Sequence, residues 1–464
     1  MIRPVLLLAS TMLLAACAAA PVPELAERRA PLSTASLPPM KTFSSSRATR
    51  PSRSNAALAQ DFIELSFMME SGRKLDRFTR FEGPISVNVI GDPPPTLQPD
   101  LDRLLNRLRR EAAIDIRQVP PSQDANIVIS IVPRRELQRI VPQAACFVVP
   151  NVQTWAEFKR VRRTRAVDWT LLLARTRAAV FLPGDVSPQE IRDCLHEEVA
   201  QALGPLNDIY RLPDSVFNDD NFHTVLTGFD MLMLRTYYAP EFQNGMSLAQ
   251  VEQRLPQVLA RLNPRGQRRQ LGLSSPTPRS WIDTIEVAVG PKASLNARRT
   301  AAKRAVNQAN SQNWAGPRAA FSLYVLGRLS LVREPELALN SFRQAGAIYR
   351  ARPETRVQAA HVAMQLAAFS LSAGDAQATL SLVNESLPAV AAAENAALLS
   401  TLLMIKAEAL ELQGRVSEAT TVRRDALGWA QYGFGSEQIV RARLQEIAAL
   451  APTIRPTPAT VRGQ

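Results

Sequence analysis

The stretch Cys194-Leu195-His196-Glu197-Glu198-Val199-Ala200-Gln201-Ala202-Leu203-Gly204-Pro205-Leu206-Asn207-Asp208 decides how the first half of this chain is read. Ser187 is a strong N-cap, Pro188 suits a first helical turn, and Glu190 stands three residues after the cap. A helix is therefore expected from there to about Leu203, stopping at Gly204-Pro205. On such a helix Glu197 and Gln201 lie one turn apart on one face, while His196 points about 100° away from Glu197. Working backwards, apolar alternation predicts a strand over 85–90, further strands are expected over 114–119, 127–132 and the short apolar 146–149, and alternating and continuous apolar residues predict a strand pair or one long strand over 169–182. Helices are expected over 58–72 and 97–112, the second with Leu101, Leu104, Leu105 and Leu108 on one face. Working forwards, the loop Asp214-Ser215-Val216-Phe217-Asn218 leads to a helix at Thr227, where Asp230 completes a capping box, running to Tyr237-Tyr238.

Beyond this α+β region, 56–245, the proline- and arginine-rich residues 246–315 read as a connector with one or two helices. Residues 316–450 are alanine- and leucine-rich and read as helical throughout. Glu334, Gly374 and Gly414 recur every 40 residues, each at a turn after an apolar helix. Second helices follow at Pro335–Tyr349, Asp375–Leu387 and Arg415–Ala430. This resembles tetratricopeptide helix pairs, with a period longer than the usual ~34 residues. The resemblance implies an all-α repeat that folds alone and binds a protein or peptide through its first helices; an irregular bundle is the bland alternative. A disordered tail, 451–464, closes the chain.

The N-terminus combines Arg3, a short apolar run over 5–14 and Leu14-Ala15-Ala16-Cys17. It resembles a bacterial lipoprotein signal, 1–17, with cleavage before Cys17 and lipidation there; an ordinary secretory signal is the alternative. The run is too short to span a bilayer. Residues 18–55 read as a flexible tether. The expected location is the cell envelope, lipid-anchored, at the outer membrane facing the periplasm. Net charge is +13. In an exported chain that charge points to anionic headgroups or envelope polymers, or to solubility alone, and nucleic acid is not expected. With Cys17 lipidated, Cys146 and Cys194 remain, and an oxidising compartment predicts a disulfide between them.

The central stretch is similar to the zinc-protease helix motif H-E-x-x-H-x-x-G-x-x-H. That chemistry needs two ligands one helical turn apart, a glutamate beside the first as general base, and a glycine that returns a third ligand to the metal. Glu198 falls on the glutamate and Gly204 on the glycine, while Glu197, Gln201 and Asn207 occupy the three histidine positions. The element order resembles matrixin-type metzincins over roughly 80–240. The stretch through Asn207-Asp208, with Asn218-Asp219-Asp220 following, resembles a family of proteobacterial lipoproteins catalogued as a domain of unknown function. The methionine expected beneath a metzincin site has no clear counterpart, and Phe217 is the candidate for its place.

Three readings of the site follow. Two amides and one carboxylate are poor zinc ligands, so the first is a degenerate site without cofactor, its polar groups bonded to one another. The second is an active metallopeptidase with unusual ligands and Glu198 as base, His196, Asp208 and His223 being further cleft candidates. The third is a hard cation on Glu197, Glu198, Asp208, Asp219 and Asp220. The functional expectation is an envelope lipoprotein with a degenerate metalloprotease-like domain and a protein-binding repeat. An active metal-dependent peptidase and a structural envelope anchor are the alternatives.

Overall fold

The computed structural model describes residues 36–44, 49, 51–268 and 275–452. The signal, Cys17, most of the tether and all but the first two residues of the expected tail lie outside the described residues.

The first region runs α1 (Asn55–Phe67), β1 (Ile85–Ile90), α2 (Leu97–Glu111), β2 (Ile116–Gln118), β3 (Ile127–Val132), α3 (Arg134–Ile140), β4 (Phe147–Pro150), α4 (Trp155–Val161), β5 (Ala178–Pro183), α5 (Pro188–Leu203), α6 (Gly228–Tyr237) and α7 (Leu248–Leu262). The sheet order is β2-β1-β3-β5-β4, parallel except for β4, which pairs antiparallel with β5 at the edge. Strand side chains alternate between faces, and β5 divides its own accordingly. Ala178, Val180 and Leu182 join the main core with Leu101, Leu104 and Leu108 of α2 and Leu195, Val199 and Leu203 of α5. Ala179 and Phe181 face the opposite way, into a smaller core with Leu137 of α3 and Phe158 of α4. Both faces are covered, so every residue of β5 is buried.

The second region is helical: α8 (Arg279–Val289), α9 (Leu295–Ser311), α10 (Pro317–Ser330), α11 (Pro335–Arg350), α12 (Arg356–Ser372), α13 (Ala376–Ala392), α14 (Ala396–Leu412), α15 (Val416–Phe434) and α16 (Glu437–Ala448). From α8 to α15 each helix packs on the next. Gly374 and Gly414 stand at the expected turns with φ of +78° and +74°, where a side chain would be strained.

Several expectations are corrected. Residues 169–182 do not form a long strand, because Asp168 caps a short 3₁₀ turn at Trp169–Leu171 and only Ala178–Pro183 pairs. α1 ends at Phe67 rather than 72; Met68 and Lys74 bridge across a turn. Residues 246–315 hold three helices. α7 packs on α1 within the main core, while α8 and α9 bury Trp281, Ile285 and Ala302 in the helical core. The tether includes an ordered part: Lys41 N–H donates to the Gly428 carbonyl at 3.0 Å and Phe43 stacks on Trp429 with centroids 4.4 Å apart.

The largest correction concerns independence. Pro39–Pro452 is one compact unit. Helices α10 and α12, two of the first helices expected to face a partner, instead hold the loop after α5. Phe222 packs on Phe321, Tyr324 and His361, and Tyr210 packs on Phe321 and, from α8, Trp281. Gln358 Nε2 donates to the Pro213 carbonyl. The helical region is built onto the α/β region through buried contacts.

Candidate functional site

Helix α5 starts as its caps require: the Ser187 hydroxyl accepts from Glu190 N–H at 3.1 Å, with Pro188 in the first turn. Its far end is closed by Arg175, whose guanidinium donates to the carbonyls of Gln201 at 2.7 Å, Ala202 at 2.8 Å and Gly204 at 2.5 Å. Carbonyls at a helix end lack continuing intrahelical donors; of these, Gln201 also accepts from Gly204 N–H at 3.3 Å. Gly204 is required for a reason other than a turn. Its backbone is extended at φ −171°, and a Cβ there would lie 2.9 Å from the Tyr237 ring of α6. The Cys146–Cys194 disulfide ties the segment entering β4 to the middle of α5, Cα to Cα 5.9 Å.

The histidines are structural. His196 is buried, its Nδ1 accepts from Leu226 N–H at 3.2 Å, and burial followed by the charge of Arg107 holds its pKa well below the ordinary value. His223 Nε2 donates to the Pro213 carbonyl at 3.0 Å, and burial lowers its pKa to about 4. Each has a ring nitrogen committed to the backbone. Asn207 Nδ2 donates to the Glu64 carbonyl of α1 at 3.1 Å. Phe217 is fully buried in the main core. Asp220 accepts from Phe222 N–H at 3.2 Å and Asn218 Nδ2 at 3.0 Å, closing its own turn.

The carboxylates behave differently. Glu198 is 5 % exposed, and its Oε2 is buried without a hydrogen-bond partner. Burial, then Glu197 and Glu70, push its pKa well up. Burial and the charges of Asp219 and Glu70 raise Glu197 to about 8. Asp208 and Asp219 converge with Glu70, one ligand oxygen of each lying within 4.8 Å of the others. Burial and Glu70 raise Asp219 to about 7. Glu70 was missed in the sequence because the expected helix ran through it; the signal available was Ser71-Gly72, a turn pair, with Gly72 at φ +79°.

Of the three readings of the donors, zinc on Glu197, Gln201 and Asn207 fits worst. Zinc favours imidazole and thiolate, and these positions offer two amides, one of them hydrogen-bonded to α1. An all-carboxylate group suits a hard cation.

Residues 55–257 match a protein family described as a protein of unknown function (DUF2927). The matched span starts at the first residue of α1 and ends within α7, so it holds the sheet and the candidate site and stops short of the helical region. No curated protein and no solved structure matches the chain.

Proposed function

We propose that this protein is an envelope lipoprotein in which a metalloprotease-like α/β domain serves as a non-catalytic scaffold. The helical region, tetratricopeptide-like in its pairing, braces that domain, and the molecule binds a protein or peptide. The element order around α5, strands before it and a loop and capped helix after it, supports the metzincin-like part of this reading. The lipobox ending at Cys17 supports the envelope part.

One observation carries the non-catalytic reading. Glu198, at the position of the general base, is buried, and its carboxyl is pushed far above the usual range by burial. A base must be ionised and must reach a metal-bound water. A carboxyl enclosed in the core, its Oε2 buried without a partner, is not placed to do this. Because Tyr210 and Phe222 already occupy the α10–α12 face, a partner must be met on the remaining surface.

Elemental analysis of the purified full chain, alongside hydrolysis of a mixed peptide library with added zinc, tests this. The expected result is less than stoichiometric zinc and no zinc-dependent cleavage. Stoichiometric zinc with zinc-dependent cleavage would overturn it.

A further inference from the structure

The group formed by Glu70, Asp208 and Asp219 lies outside the motif frame and needs its own explanation. Its positions are fixed by backbone. Glu70 N–H donates to the Leu206 carbonyl at 3.1 Å, and Leu206 N–H to the Leu65 carbonyl at 3.1 Å, so the turn after α1 is stitched to the segment carrying Asp208. Ile209 N–H donates to the Phe217 carbonyl at 2.9 Å, bringing the two ends of the Asp208–Asp219 loop together. Three carboxylates from three parts of the chain are thus held face to face.

Like charges so placed repel unless protons or a cation separate them. The charges acting most strongly on Asp208 are Asp219, Glu197, Glu70 and Glu198, all acidic. Arg279 partly offsets Glu70 and Asp219, but its guanidinium is already paired with Asp283 and Glu286.

A second observation is independent of the clustering. Asp208 Oδ1, within the group, is buried and unpartnered, and so is Oε2 of Glu198, whose carboxyl acts electrostatically on Asp208 and feels Glu70. A buried acceptor without a donor costs about 1–3 kcal/mol, and a missing ion is one of the few things that relieves it.

We infer that Glu70, Asp208 and Asp219 bind one hard divalent cation of the calcium class. Calcium–oxygen distances of about 2.3–2.6 Å allow ligand oxygens up to roughly 5 Å apart, which the 4.8 Å span satisfies. Glu70 is exposed, so water completes the shell from that side. The inference stands apart from the scaffold reading, since it needs neither a lipid anchor nor a peptide partner.

The test uses the full chain stripped of metal with a chelator. Calcium, magnesium and zinc are added separately while the melting temperature is followed. Terbium luminescence is excited through Tyr210, which hydrogen-bonds Asp219, and through Trp281, stacked edge-on against Tyr210 at 5.1 Å. Calcium should raise the melting temperature saturably and displace sensitised terbium. Glu70→Gln, at an exposed turn, should keep the fold and weaken calcium binding roughly tenfold or more. Asp208→Asn should abolish the calcium response, yet melt no lower than the parent without metal, because it removes repulsion. If Asp208→Asn does not fold, Glu70→Gln decides. No response to calcium, a response to zinc alone, or a calcium response unchanged in Glu70→Gln would each overturn the inference.

Discussion

The molecule buries charge in two places and treats it in opposite ways. Where α5 meets the helical region, charge is matched. Arg192 is 2 % exposed and donates to Glu394 through both terminal nitrogens, with its guanidinium over the rings of Tyr432 and Phe43. Beside it, Tyr432 donates to Asp100 at 2.7 Å, and Gln189 bonds Asn395 and the backbone of Ala397. At the other end of α5 the carboxylates Glu197, Glu198 and Asp208 gather without a matching cation among their strongest influences, and Asp219 beside them is only partly offset by Arg279. Where the two regions meet, the terminal nitrogens of Arg192, the Tyr432 hydroxyl and the Gln189 amide find partners within the chain, while among the described residues Arg192 Nε and Gln358 Oε1 do not.

Breaking the matched site should have the largest effect. Arg192→Ala removes the buried ion pair to Glu394, and should cost about 3–5 kcal/mol in denaturant unfolding. Arg192→Ala with Glu394→Gln should recover part of that loss. If the single variant unfolds like the parent, the contact does not hold the two regions together.

The disulfide comes next. It closes a loop spanning 48 residues, and its removal in Cys146→Ser with Cys194→Ser should cost about 4 kcal/mol through the freed unfolded chain. A loss below about 1 kcal/mol in urea unfolding would show that α5 is held by packing alone.

His223 sharpens the comparison with a third treatment, a base buried neutral. Its folded pKa of about 4 lies below the unfolded value of about 6.5. The stability it contributes is therefore present above about pH 6.5 and lost as pH falls from there toward 4. His196 and His361 shift in the same direction. His223→Gln, which can still donate to the Pro213 carbonyl, should lose less stability over that window, by up to roughly 3 kcal/mol. Parallel pH profiles for parent and variant would contradict this.

The smallest effect belongs to the ordered strap. Phe43→Ala removes one stacked pair at the chain's edge and should cost about 1 kcal/mol. It should speed protease cutting at Lys41 far more than it lowers the melting temperature.

What the sequence disclosed follows the strength of local signals. Strand β1 alternates, β3 is a short apolar run, and the caps at Ser187 and Thr227 stand where side chains bond backbone. The repeat turns are marked by glycines that need positive φ. Helix α9 was hidden because its buried face is made of Ala301, Ala302, Ala305 and Ala309, too small to give an apolar period. Helices α3 and α4 are two turns long, shorter than any window that shows a period. Two of the three carboxylates of the site, Asp208 and Asp219, were legible. Glu70 joins them only through a backbone bond to Leu206, a pairing no local pattern encodes. The joining of the two regions was illegible for the same reason, since Phe222 and Tyr210 sit in a loop without periodicity.

The account's central claim is that Glu198 is a buried carboxyl and not a base. It is tested most directly by measuring peptide-library hydrolysis for the parent and Glu198→Gln side by side, with zinc and with calcium. The account predicts that the two proteins are indistinguishable under every condition. A metal-dependent activity in the parent that falls by roughly 10²–10⁴-fold in Glu198→Gln would contradict it.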